Sequence, residues 1–543
     1  MNGTHWTQTR MRNQQVLWEG DALFLLPRVV LLNSKMEETK MSKLLIGWSE
    51  INITPDKKVS LAGQFAERIS EYVEKPLCAT AMAVEACGDQ MVLLSTDLVS
   101  ISVNLIEAVR ANLANNTQGL DPMKIVCSAI HTHTGPEYPR LDRTSYMTGR
   151  TINTRALLET ELPAGKKYVE NADVTNNPEV ISGEEVFTLL VERLSQVVME
   201  AWQNRTEGSF VNAFGRAAVG LCRRTAYSDG SAQMWGDTGT AVFTELEGGN
   251  DSGIELLYVY DGNKNLKGIV ANLACPAQCV QHRLFVSPDF WGEVKVLLRK
   301  RFGEDLFLLP QCSAAGDQCP VDLVRWVEPE SDVNDPNLKR YNPPKRKADP
   351  SMFDLAGMRK VGKRIAREII DVYEEGLDEA QEDVEFVHQV HMMQLPVRRT
   401  TLTEVAAAKK AIREYLRDKE GDVDFNDAAK LQVHLGILRR FELQEVMDVL
   451  DTEVHIIRMG SIAFASSPFE LFLNYGNQIK ARSVAEQTFL IQLANGNEGY
   501  LPTEKAEKGG HYSAFISSGI VGHVGGEQLV RETLKGIRSL FAE

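Results

Sequence analysis

Ala129-Ile130-His131-Thr132-His133-Thr134-Gly135-Pro136 follows directly on the apolar stretch Ile125 to Cys127. An apolar run closed by Gly-Pro predicts a buried strand that stops at a turn. Two histidines two apart on an extended backbone face the same side of it. Both imidazoles are therefore expected at a strand tip, where a cleft can form. Imidazole is the commonest metal ligand and a frequent general base, so the pair points to metal chemistry. A hydrogen-bonded structural pair satisfies the tripeptide equally well, because His-x-His is short. The rest of the chain has to decide.

Working outward, Gly47 to Pro55 reads as a strand closed by a Pro turn, and Met91 to Leu98 as a buried strand ending at Asp97. Val103 to Asn112 has helical spacing and returns the chain to the histidine strand. Val186 to Trp202 is an amphipathic helix. Ile254 to Tyr260 and Gly268 to Ala274 form a hairpin around Asp261-Gly262-Asn263, followed by a helix over Phe290 to Phe302 and a strand at Leu306 to Pro310. Met358 to Tyr373 and Leu402 to Leu450 are helical, Ile456 to Ser466 is strand, Leu471 to Ala485 helix and Phe489 to Leu493 strand. Alternation of this kind predicts an α/β fold with a β-sheet core flanked by helices. Residues 1–42 lack periodicity and read as disordered or as an over-long start, which leaves one domain over 43–543. Insertions are expected at about 137–180, 325–350 and 400–450. The charged stretch from Lys409 to Arg440 reads as a solvated insertion or as a contact between copies in a homo-oligomer.

The chain has 543 residues, 43% hydrophobic and 24% charged, with a formal charge of −15. That balance suits a globular protein with a real core and argues against nucleic acid or an anionic membrane as partner. Residues 22–32 are apolar but short and broken by Pro27 and Arg28, so neither an export signal nor a membrane span is expected. The eight cysteines form no dense framework, which suggests reduced thiols and a cytoplasmic protein.

Four further stretches share one pattern, an apolar strand ending abruptly in ligand-type residues: Ala274-Cys275-Pro276-Ala277-Gln278 with Ser287-Pro288-Asp289; Gly316-Asp317-Gln318-Cys319-Pro320; Ser467-Pro468-Phe469-Glu470; and Asn495-Gly496-Asn497-Glu498-Gly499-Tyr500-Leu501-Pro502-Thr503. In α/β proteins ligands and catalysis gather at strand ends. Together with Ile53-Thr54-Pro55, Leu61-Ala62-Gly63, Arg68, Ser95-Thr96-Asp97 and Gly509-Gly510, these motifs stand in an order that resembles the catalytic domain of the neutral/alkaline non-lysosomal ceramidases over roughly residues 44–540.

The resemblance implies a ceramidase-like catalytic domain, here expected without the C-terminal β-sandwich domain of that family, and a zinc site. Carried over by position, His131, Glu470 and Tyr500 become metal ligands. Cys275 falls where the family has its second histidine ligand, and His282 is the alternative. His133 becomes a proton-shuttling or oxyanion-stabilising group, and Arg223 the positive charge. Cys319 stands in place of the family's serine nucleophile, beside Asp317, so either the thiol or a water attacks. Gln278, Asp289 and His282 are expected to face the substrate. A buried small-hydrophobe reading competes for Cys275 and Cys319, and a helix-start reading for Glu470. His388, His391, His434 and His455 read as structural. The expected function is zinc-dependent hydrolysis of an amide or ester bond in a small, soluble, polar molecule. The alternatives are a carbohydrate-active enzyme (glycoside hydrolase, lyase or isomerase) on the same fold and a non-catalytic metal-binding relic.

Overall fold

The computed structural model describes residues 41–64, 67–141, 143–148, 154–169, 177–324 and 353–542. The insertion expected at 325–350 and nearly all of the tail expected over 1–42 lie outside them. Residues Lys40–Glu543 form one compact unit.

A large mixed sheet runs in the spatial order Phe307–Cys312, Leu266–Leu273, Gly253–Asp261, Thr206–Arg216, Ser42–Asn52, Cys78–Ala86, Asp89–Thr96 and Ile125–Ala129, with Asp383–Val384 added beside the Ser42 strand. Its interior pairs are antiparallel, and only the two outermost pairs are parallel. Each parallel pair is joined through a helix, Val103–Asn116 on one side and Phe290–Phe302 on the other, as a parallel connection requires. A second sheet, Phe386–Pro396, Val449–Met459, Ile462–Ser466 and Gln487–Ile491, repeats the device, with its last pair parallel and bridged by the helix Leu473–Arg482.

The period of two along each strand sorts the core into layers. Ala81, Ala83, Val92 and Leu94 pack beneath the helices Val103–Asn116 and Gly183–Gln203. Their neighbours Met82, Val84, Met91 and Leu93 point the other way, onto Ile457, Phe464 and Phe489 of the second sheet. Helices 290–302 and 354–375 cover Leu256, Tyr258 and Ile269, and helix His523–Leu540 covers the outer face of the second sheet. The result is two sheets packed face to face with helices outside both. The helix over residues 183–203 starts where its sequence says it should: Ser182 and Glu185 form a reciprocal capping box, and Val186, Leu190, Leu194 and Val197 line the buried stripe.

Two elements differ from the sequence reading. The strand Thr206–Arg216 was hidden by Gly208, Gly215 and its polar residues; a Cβ at Gly208 would lie 2.8 Å from the Tyr260 carbonyl oxygen of the neighbouring strand. The predicted helical run 402–450 breaks into helices Leu402–Asp418 and Phe425–Leu443 and then becomes strand at Val449. These two helices share a small core with Leu157 and Leu158 of the helix Thr154–Thr160. Two segments far apart in the chain thus make one helical unit.

The sheets are also joined by a buried polar chain. Arg110 forms a bidentate pair with Glu453 at 2.7 and 3.0 Å, Glu453 reaches His455 at 2.9 Å, and His455 Nδ1 lies 2.8 Å from His388 Nε2. His388 also meets the Gln90 carbonyl, its backbone N–H donates to Asp89, and Lys124 pairs with Asp89. Burial, helped by the two rings' mutual influence and by Lys124 and Arg110, holds His388 well below 6.5; His455 is also lowered by burial, although Glu453 opposes the shift. Below pH 6.5 the unfolded chain therefore binds protons that the folded chain refuses, and stability falls as the pH drops. The urea midpoint should decline between about pH 7 and pH 5, and less steeply in His388→Gln. An unchanged slope in the variant would assign the acid sensitivity elsewhere.

Candidate active site

Three strand ends and one paired segment converge on a single cluster. The Ile125–Ala129 strand stops before the histidines, and the chain turns instead of continuing extended: His131 has φ 66°, in the left-handed region. This corrects the expectation of two rings on one strand face. The rings meet edge to face at 4.9 Å, with their Nε2 atoms 3.4 Å apart. A non-glycine residue held at positive φ stores strain of order 1–3 kcal/mol. The surrounding contacts hold this one in place.

His131 Nδ1 lies 2.6 Å from the Val99 carbonyl, which can only accept. Nδ1 therefore carries a proton, and Nε2 turns to Glu470 Oε2 at 3.4 Å. Glu470 does not open a helix, as one reading of the sequence had it. It lies on a two-residue parallel ladder in which Glu470 pairs with Tyr500 and Leu471 with Leu501. Tyr500 lies beside Glu470 on this ladder, its ring meets that of Tyr512 edge-on at 5.5 Å, and its hydroxyl receives Arg223 Nη2 at 3.3 Å. Burial pushes the Glu470 carboxyl up, but His131, Arg223 and Tyr500 more than offset it and leave the group below its ordinary range. Burial, with Glu470 beside it, drives the Tyr500 phenol well above 10.

Gln278 links the other two groups. It accepts from Arg223 Nη1 at 3.2 Å through Oε1, so its Nε2 donates to His133 Nε2 at 2.9 Å. His133 is thereby a Nδ1–H tautomer, and burial followed by His131, Arg68, Arg223 and Arg140 keeps it neutral. Arg68 donates to the carbonyls of His133 and Ala62, both at 2.6 Å. Gly63, at φ 91°, lets the His133 ring lie where a Cβ would come within 2.5 Å of Cγ. That is the physical content of the Leu61-Ala62-Gly63 and Arg68 motif.

The remaining candidates lie outside this cluster. Cys275 Sγ faces the Val219 carbonyl at 3.4 Å, and burial raises its thiol well above 9. Cys319 packs with Met234, Trp235, Val321 and Phe353, faces the Val321 carbonyl at 3.3 Å, and is pushed by burial to about 12. Asp317 accepts from the Leu473 amide at 2.8 Å at the start of a helix. Asp289 accepts from the Phe290 and Val280 amides at 2.6 and 2.9 Å, and burial lifts it to about 6. His282 stacks on Phe353 and pairs with Asp354 at 3.3 Å. Tyr512 belongs to the cluster but was missed. Its one sequence signal is the Gly509-Gly510 pair just before it.

Among the described residues no group of three or more His, Cys, Asp or Glu side chains is arranged to hold a metal ion. His131 and Glu470 nevertheless approach each other, with Tyr500 paired beside Glu470. Donors 2.0–2.1 Å from a tetrahedral centre stand about 3.3 Å apart, and His131 Nε2 and Glu470 Oε2 are at 3.4 Å, with Tyr500 paired alongside Glu470. The His131–Glu470 spacing therefore fits two donors on one cation, with Tyr500 beside them as a further oxygen.

Among solved structures, the fold matches neutral ceramidase from Pseudomonas aeruginosa with a TM-score of 0.59 at 15% identity, over 92% of this chain and 75% of that one. It matches a ceramidase complexed with C2 with a TM-score of 0.61, at the same identity and coverage. The chain thus has the ceramidase catalytic fold that its ordered motifs suggested. No family model matches the sequence, and none of the curated proteins searched is a significant match. Among the described residues no helix is long and apolar enough to cross a membrane.

The thiol environments make a direct prediction. Cys87 is exposed and Cys78 half-buried, whereas the other six cysteines are buried. A disulfide reagent at about pH 8 should label Cys87 rapidly in the folded protein and reach Cys319 and Cys275 only on unfolding. Fast labelling of Cys319 in the native state would restore it as a nucleophile.

Proposed function

We propose that this protein is a hydrolase that cleaves an amide bond in a small polar substrate at the His131–Glu470–Tyr500 site, with one divalent cation, zinc, as cofactor. The observation that carries the reading is the His131–Glu470 approach, with the His131 tautomer set by Val99 and Tyr500 paired opposite Glu470. A cation held there would supply Lewis acidity, polarising a carbonyl and acidifying a water.

The chain's own residues would do the rest. His133, neutral and bonded at Nε2 by Gln278, can take a proton at that atom when the amide yields. Arg223 Nη2, 3.3 Å from the Tyr500 hydroxyl and 4.0 Å from Glu470, adds positive charge where an oxyanion develops. We assign the attack to water, because the Cys319 thiol is protonated and enclosed in apolar packing. The amide reading is preferred to the glycoside one because a glycosidase needs a second free carboxyl, and Asp289 and Asp317 are held by backbone amides. The name of the fold's solved neighbours, ceramidase, points to the same bond class.

Purified protein should carry about one zinc per chain, and His131→Ala and Glu470→Ala should each lose it. With a panel of short N-acyl amides as substrates, Arg223→Met should lower kcat by about 10²–10³-fold, while Cys319→Ala retains turnover. Release of sugar from glycosides without amine release would overturn the amide assignment. Absence of any stoichiometric divalent ion together with no hydrolysis would favour the relic.

A further inference from the structure

Arg440 lies near the C-terminal end of the helix Phe425–Leu443 and is 4% exposed. Its guanidinium donates to four backbone carbonyls: Ile520 at 2.6 Å, Gly519 at 2.7 Å, Arg398 at 3.1 Å and Ile516 at 3.5 Å. A rigid planar fork can gather several carbonyls at once, which a single ammonium cannot do. Burial pulls its pKa down to about 9, so it remains a cation at neutral pH. The same helix comes close at Gly436, where a Cβ would collide with Ser517. Helix and guanidinium together hold the segment from Ile516 to Ile520.

That segment backs the candidate site. Gly519 bridges Gly499, and a Cβ at Gly519 would strike the Tyr500 carbonyl. Gly499 has φ 74°, and a Cβ there would come within 2.5 Å of the Ser518 carbonyl. On the far side, the Glu470 amide donates to Gly499 at 2.9 Å and the Phe472 amide to Leu501 at 3.3 Å. The contacts run in series from Arg440 through Gly519 and Tyr500 to Glu470.

We infer that Arg440 is a positioning residue. Without touching the site, it fixes the backbone from which Tyr500 projects and so sets the phenol against Glu470 and Arg223. It also fastens the helical unit that contains Phe425–Leu443 to the wall of the site. The inference deepens the hydrolase reading and rests on it only for the metal readout.

The test compares wild type, Arg440→Met and Arg440→Lys by hydrogen exchange followed by mass spectrometry and by calorimetric titration with zinc alone. In Arg440→Met, exchange should rise in peptides spanning Ile516–Ile520 and also in those carrying the Glu470 and Phe472 amides. It should stay unchanged in the Ile125–Ala129 strand, and zinc affinity should fall tenfold or more. Arg440→Lys should restore part of both effects, and it carries the comparison if Arg440→Met does not fold. Exchange confined to Ile516–Ile520, or rising equally everywhere, would overturn the inference, as would unchanged zinc affinity. If wild type binds no zinc, the metal reading fails separately, and exchange at Glu470 alone decides the role of Arg440.

Discussion

Asn495 presents its side-chain amide to the edge of the Ile125–Ala129 strand as though it were one more peptide unit. Its Oδ1 accepts from the Cys127 amide and its Nδ2 donates to the Ile125 carbonyl, both at 2.8 Å, while its own N–H donates back to Cys127. The left-handed backbone at Asn495, φ 54°, makes this geometry reachable; asparagine tolerates that region better than most residues. Nδ2 also lies 2.9 Å from Glu453, which joins Asn495 to the buried chain between the sheets. Losing the amide would leave the buried Cys127 N–H without this partner, at about 1–3 kcal/mol. One side chain thereby sets the strand leading to His131 against the loop leading to Tyr500.

The site forms where it does because of the three strand–helix–strand units. In each, the parallel pair ends on the same side, and the chain leaving it must turn sharply. Ile125–Ala129 delivers the histidines, Leu266–Leu273 delivers Gln278, Ile462–Ser466 delivers Glu470, and Gln487–Ile491 runs on to Tyr500. Close approach of these turns needs absent side chains. Gly316 lies against the Glu470 carbonyl, Gly519 against that of Tyr500, and Gly63 against the His133 ring. A methyl at any of the three would push a functional residue off its position.

The partners that face each buried group, more than its residue type, separate the groups available for chemistry from those that hold the fold. Asp289 and Asp317 are fully enclosed carboxyls whose oxygens answer backbone N–H groups. Cys275 and Cys319 are thiols facing carbonyls in apolar surroundings. Glu470 is also enclosed, but His131, Tyr500 and Arg223 face it and favour its charge. Similar residue types in similar strand-end motifs thus end in different chemical states.

Periodicity along the chain was enough to locate most strands and helices, because alternation and 3.6-residue spacing record which face each element buries. The helix Phe290–Phe302 falls on the limits its pattern implies, and the ordered motifs pointed to the ceramidase fold. Strand Thr206–Arg216 escaped because its glycines serve a neighbouring strand, an advantage that leaves no local pattern. Membership of the cluster was likewise a tertiary matter. Whether Cys275 or Gln278 turns toward the histidines depends on side-chain direction in a turn, which spacing does not encode. Tyr512 and Arg440 enter through contacts between segments far apart in the chain, made only once the sheets and the helices beside them have packed.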